Sequence, residues 1–150
     1  MIFIFLKSLN YMVGKRIMAL DYGKKRTGVA LTDPLQMIAT GLTTVDSHGL
    51  RPWLKTYFEN EPVEKVIIGL PFALDGSDTD GTKPVKDFIR LFKKDHPAIP
   101  IETVDEQYTS KLAAQTLVNS GLKKKDRQNK ALLDEVAATI MLQDYLQSRQ

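Results

Sequence analysis

Residues Arg16–Asp21 read Arg-Ile-Met-Ala-Leu-Asp, an apolar run with no polar alternation. Strand side chains alternate between two faces, so such a run fits a strand buried on both sides. It ends on a carboxylate, and Gly23 follows closely, freeing the backbone to turn. Lys65–Gly69 (Lys-Val-Ile-Ile-Gly) has the same buried character. Thr27–Thr32 makes a second strand after the Tyr22–Arg26 connection. Thr40–Val45, rich in β-branched residues, makes a third.

Helical spacing begins after this meander. Leu50, Trp53, Leu54, Tyr57 and Phe58 recur at the period of a helix, with Ser47 as its expected cap. Val85, Phe88, Ile89 and Phe92 mark another helix, and Ile101–Val104 a short strand. A helix capped at Thr109 or Ser110 is expected to end at Gly121. The last helix is expected from about Gln128 to Gln147, with Leu133, Val136, Ala137 and Ile140 as its apolar stripe. That register puts Asp134 at the edge of the stripe and turns Glu135 to solvent. The order β-β-β-α-β-α-β-α-α predicts an α/β protein with a mixed five-stranded sheet flanked by helices, parallel where helices make the crossovers. Leu70–Lys83 is the one loose segment.

Composition narrows the chemistry. The 150 residues hold no cysteine, so no thiolate zinc site or disulfide framework is available. His48 and His96 stand apart without ligand spacing and are expected at the surface. The net charge is only +3, but it is unevenly distributed. Lys24, Lys25 and Arg26 form one basic cluster, and Lys123, Lys124, Lys125 and Arg127 another. Both could neutralise a phosphate backbone; the bland alternative is two solvated loops. No run approaches the length needed to span a bilayer, and the Ile2–Leu6 stretch lacks the flanks of a signal peptide. A soluble, cytoplasmic protein with no membrane partner is expected.

The acids fall at element ends. Asp21 closes the first strand, Asp105 and Glu106 follow the Ile101–Val104 strand, and Asp134 lies early in the last helix. In parallel sheets ligands collect at the carboxyl ends of strands. Carboxylates gathered there suit magnesium or manganese, which take oxygen ligands. Alternatively, Asp21 caps a turn and Asp134 is a surface acid. A Walker loop is excluded because Gly28 is followed by Val29-Ala30. An EF-hand is excluded because Gly76 occupies the first position and Asp87 the twelfth. An actin-like ATPase would need two such domains with a cleft between them, which this length cannot supply.

Asp21-Tyr22-Gly23-x-Lys25-Arg26-x-Gly28-Val29-Ala30 followed by Thr32-Asp33-Pro34 resembles the opening of the YqgF/RuvX family of Holliday-junction-resolvase-like proteins. Gly69-Leu70-Pro71 with Asp75-Gly76, then Asp105-Glu106-x-x-Thr109-Ser110, then Asp134-x-x-Ala137-Ala138 with Leu142-Gln143, are similar to its later motifs in order. The resemblance runs from about Arg16 to Leu146 and leaves residues 1–11 outside it. It implies one RNase H-like nuclease domain over residues 16–150; residues 1–15 are read as an N-terminal extension, either a flexible tail or the product of a misassigned start. It also implies Asp21, Glu106 and Asp134 as catalytic metal ligands for Mg2+ or Mn2+. The implied activity is hydrolysis of phosphodiester bonds by two metal ions, processing the 5′ end of precursor 16S rRNA in ribosome biogenesis. A resolvase acting on four-way DNA junctions and a non-catalytic nucleic-acid-binding module are the alternatives. A monomer and a homodimer are both compatible with the sequence. The chain departs from the family at Gln107, where arginine is common, so any phosphate contact there lacks charge.

Overall fold

The computed structural model describes residues 15–73, 75–105, 115, 116, 118–121, 123 and 129–149. Strands β1 (Arg16–Tyr22), β2 (Arg26–Thr32), β3 (Ala39–Asp46), β4 (Val63–Leu70) and β5 (Ile101–Asp105) form one five-stranded sheet in the order β3-β2-β1-β4-β5. The first three make the expected antiparallel meander, with Asp21 opposite Gly28 and Gly28 opposite Thr44. β4 and β5 join in parallel beyond β1, with Leu20 beside Ile68 and Ile68 beside Thr103. The strands run slightly past their apolar cores because residues such as Arg26 and Asp46 still pair across the ladder.

Helices α1 (Leu50–Asn60) and α2 (Thr82–Asp95) make the crossovers into β4 and β5, and α3 (Lys130–Ser148) closes the described chain. α1 and α2 cover one face of the sheet. Their Leu50, Leu54, Val85, Phe88 and Phe92 pack with Met18, Leu20, Val29, Val66 and Ile68. α3 covers the other, setting Ala138, Met141, Leu142 and Leu146 against Ile17, Ala19, Ala30 and Ile67. Cover on both faces is what the unbroken apolar runs of β1 and β4 require. Strand alternation then carries Asp21 to the α3 side, while Tyr22 stacks on Phe88 on the opposite side, 4.9 Å between ring centroids.

Three local expectations are corrected or extended. Ser47 does not cap α1: a 3-10 turn over Ser47–Gly49 intervenes, and Gly49 holds the cap position. Ser47 Oγ instead donates to the Gly23 carbonyl and shares a 2.9 Å hydrogen bond with Thr27 Oγ1, tying the end of β3 to the β1–β2 turn. The stripe of α3 is also rotated. Its buried residues are Ala137, Ala138, Met141, Leu142 and Leu146, whereas Leu133, Val136 and Ile140 are only half-buried. By helical arithmetic the sheet-facing direction lies about 140° from the expected one. The Leu70–Lys83 segment is organised rather than loose. Phe72 and Asp78 form an isolated bridge, and Asp75 accepts from the Ser77 amide and hydroxyl. Residues 118 and 119 are helical and Gly121 follows at φ 78°, the geometry of a helix stop. The expected Thr109 or Ser110 cap lies outside the described residues.

The close approach of α3 to β2 and β3 depends on two glycines. A Cβ on Gly28 would stand 1.9 Å from the Asp134 carbonyl oxygen, which is helix backbone. A Cβ on Gly41 would meet Glu135 Oε1 at 2.6 Å, the end of a movable side chain. Gly28→Ala should therefore cost roughly 2–3 kcal/mol by forcing the helix off the sheet. Gly41→Ala should cost under about 1 kcal/mol as Glu135 swings away. Urea unfolding of both variants checks the contrast, and equal losses would show that α3 is not held at this distance.

Asp33 organises the β2–β3 turn, accepting the amides of Met37 and Ile38 at 2.8 Å each and that of Leu35 at 3.2 Å. The Ile38 hydrogen bond, aided by those of Met37 and Leu35, holds its pKa below the usual 3.8. A depressed carboxylate pKa means the turn is stabilised in full above 3.8 and loses that stabilisation as pH falls through the lower folded value. The Met37 and Ile38 amides should accordingly stay protected from exchange near neutrality and lose protection in Asp33→Ala at every pH.

Candidate functional site

The sheet brings two of the three expected acids to one corner. Asp21 ends the core of β1 and is only 8% exposed, on the α3 side. One strand spacing away, about 4.8 Å, its ladder partner Gly28 supports the backbone of α3 at Asp134. Asn129 caps α3 by accepting the Ala131 and Leu132 amides. Thr44 Oγ1 on β3 donates to the Ala131 carbonyl, so the first turns of the helix are fastened to the hairpin before Asp134 is reached.

Arg26 begins β2 on the same face as Gly28 and Ala30. Its Nε donates to Asp134 Oδ2 at 2.9 Å, with both side chains part-exposed. Arg26, expected to meet phosphate, thus also meets an expected metal ligand. Sequence reasoning missed this because the pairing joins residues on distant elements; the shared face of Arg26 and Gly28 was the available signal. Lys24, Lys25 and Lys123 are exposed. Lys124, Lys125, Arg127 and Glu106 lie outside the described residues, as does Gln107.

Glu135 does not project into solvent as expected. Rotation of the α3 stripe lays its carboxylate over Gly41 on β3, beside Thr139. Gly41 stands across β2 from Ala19, two residues along β1 from Asp21. On β5, Val104 packs with the α3-side cluster, and Tyr145 of α3 donates to Glu102 at 3.2 Å. Glu102 and Val104 therefore share the α3 face, and Asp105 alternates to the other.

Among the described residues, no group of three His, Asp or Glu side chains is close enough to hold an ion. The two acids at the corner offer oxygen donors, one of them nearly buried, which is the chemistry magnesium and manganese take. The histidines lie elsewhere. His48 and His96 line an open cavity of about 730 Å3 on the other layer with Arg51, Lys55 and Asp95. His96 is half-buried there, its ring 4.9 Å from Phe58 and 5.1 Å from Phe92, and burial lowers its pKa. Arg51 and Asp95 pair at 2.8 Å, leaving little net charge for a ligand.

Comparison with known proteins agrees with this architecture. A profile of the RuvX family, described as Holliday junction resolvase, matches residues 15–148. A proposed pre-16S rRNA nuclease of Bacteroides thetaiotaomicron is 53% identical over 134 residues, covering 89% of this chain and 97% of the relative. One from Flavobacterium psychrophilum is 55% identical over 131 residues, covering 87% and 96%. Among solved structures, T. thermophilus RuvC in complex with a Holliday junction substrate aligns with a TM-score of 0.52 at 14% identity, over 90% of this chain and 95% of that one. The likeness to RuvC shows the shared RNase H-like fold. No described helix is long and apolar enough to cross a membrane.

Proposed function

The chain belongs to the RuvX family, and from that premise we propose that it is a metal-dependent nuclease that hydrolyses phosphodiester bonds in the 5′ region of precursor 16S rRNA. The observation that carries the proposal is the convergence of Asp21 and Asp134 on one corner of the α3-facing sheet, beside the basic Arg26. Names borne by relatives above 50% identity support the rRNA substrate. The family description supports a four-way DNA junction as the second substrate to test.

Asp21 and Asp134 are proposed to hold Mg2+ or Mn2+ together with Glu106. Asp105 is set aside because Val104 faces α3 and Asp105 alternates away from it; Glu106 is the acid that the resemblance to the family implies. When bound, a pair of such ions would supply an activated water and charge stabilisation at the leaving oxygen. The protein's own part is to fix the carboxylates. Asp21 is held by a strand paired on both edges, and Asp134 by a helix seated on Gly28. Lys24 and Lys25 on the β1–β2 turn, with Lys123, are proposed to draw the nucleic-acid backbone over this corner.

Asp21→Asn, Asp134→Asn and Glu106→Gln should each lower cleavage of an rRNA-precursor fragment by at least about two orders of magnitude. Asp105→Asn should stay close to wild type. Glu135→Gln should also cleave normally, because its carboxylate lies over β3 rather than beside Asp21. Loss of the part-exposed Arg26 pair should cost Asp134→Asn no more than about 1 kcal/mol of stability. Cleavage assays in magnesium with the rRNA fragment and a synthetic junction in parallel decide both site and substrate. Full activity in Asp21→Asn would refute the carboxylate site.

Replacing Lys24 and Lys25 with alanine should weaken binding of rRNA and junction alike. The slope of log affinity against log salt should fall by up to roughly 0.7–0.9 per lost phosphate contact. An unchanged slope would return these lysines to ordinary surface.

A further inference from the structure

Arg26 is placed to do more than attract phosphate. Its backbone is held from three directions: its carbonyl accepts the Gly23 amide at 2.9 Å, its ladder partner is Asp46, and the neighbouring Lys25 carbonyl accepts the Ser47 amide at 2.9 Å. The guanidinium thus starts from a fixed base and reaches Asp134 through Nε alone. Nη1 and Nη2 make no hydrogen bond among the described residues, and the side chain is 38% exposed. One edge of the planar group is committed to the carboxylate, and the edge suited to bidentate phosphate contact remains available.

Resting on the metal-site reading above, we infer that Arg26 guards Asp134 and couples ion loading to nucleic-acid binding. Without nucleic acid, the guanidinium occupies Asp134 Oδ2 and its positive charge opposes a divalent cation at the same carboxylate. A phosphate of the bound strand engages Nη1 and Nη2, spreads that charge onto the substrate, and releases the carboxylate to the ion. By linkage, the ion and the strand then strengthen each other's binding. Arg26 is a positioning residue in this scheme, acting on the ion through Asp134.

The test is Mn2+ binding by calorimetry to the full chain without nucleic acid, set beside the Mn2+ concentration that half-saturates cleavage of an rRNA-precursor hairpin. In the wild type the calorimetric Kd should exceed the half-saturating concentration by about fivefold, the low end of usual coupling. In Arg26→Gln the Kd itself should tighten by a similar factor and the gap should close. Arg26→Lys keeps the charge and should keep the wild-type Kd. A merely structural arginine would weaken ion binding when removed, so an unchanged or weaker affinity in Arg26→Gln overturns the inference. Asp134→Asn separates this from the site reading. If it binds Mn2+ as tightly as the wild type, the carboxylate site itself fails; if it loses binding while Arg26→Gln leaves affinity unaltered, only the guard fails.

Discussion

Helix α3 can approach the sheet closely only because β2 carries no side chain where the two backbones meet. At Gly28 the Asp134 carbonyl occupies the space a Cβ would fill. Protein interiors are packed without slack, so this contact fixes both the height and the rotation of the helix. Ala137 and Ala138 continue the close approach, and Met141, Leu142 and Leu146 fill the wider space further down. Asp134 owes its place beside Asp21 to that seat, not to any attraction between the two acids, which repel one another.

Charge at this corner is arranged to tolerate that repulsion. Asp21 is almost wholly withdrawn from water in a doubly paired strand, while Asp134 is half-exposed and shares an oxygen with Arg26. Ser47 reaches from the end of β3 to the β1–β2 turn, so the strand that presents Arg26 cannot drift from the strand that presents Asp21. The corner therefore combines rigid backbone with one polar contact that can be exchanged, a combination well suited to handing a carboxylate from an internal partner to an external one.

Much of the fold was legible in the chain. The unbroken apolar runs of β1 and β4 demanded cover on both faces, and the sequence of strands and helices led directly to a mixed sheet. The rotation of α3 was not legible. Leu133, Val136 and Ile140 are as apolar as Met141 and Leu142, so periodicity alone favoured the wrong face. The deciding information lay in the partner strands: Gly28, Ala30 and Gly41 form a small-residue bed that accepts helix backbone, and only the helix face bearing Ala137 and Ala138 fits it. Ser47 looked like a helix cap because serine before a periodic segment usually is one. Its tie to Gly23 depends on strand register, which no local pattern encodes. Asp21 and Asp134 were legible as candidates from their places at element ends and from the order of motifs, and Glu135 was assigned to solvent because the wrong stripe was chosen.

The outer strand β3 bears on how the molecule behaves at high concentration. Val29 pairs with Thr43 and Ala30 with Gly41, so Leu42 is an extra residue that bulges from the ladder. Leu35, Met37, Ile38 and Leu42 all stand exposed along this margin of the sheet. A flat, regular margin with that much apolar surface would template pairing with a neighbour and lead toward aggregates. Among the described residues no strand pairs with the outer side of β3, and the bulge interrupts that row of amides and carbonyls and twists it out of line. An irregularity of one residue thus breaks the regular ladder that edge-to-edge strand pairing needs.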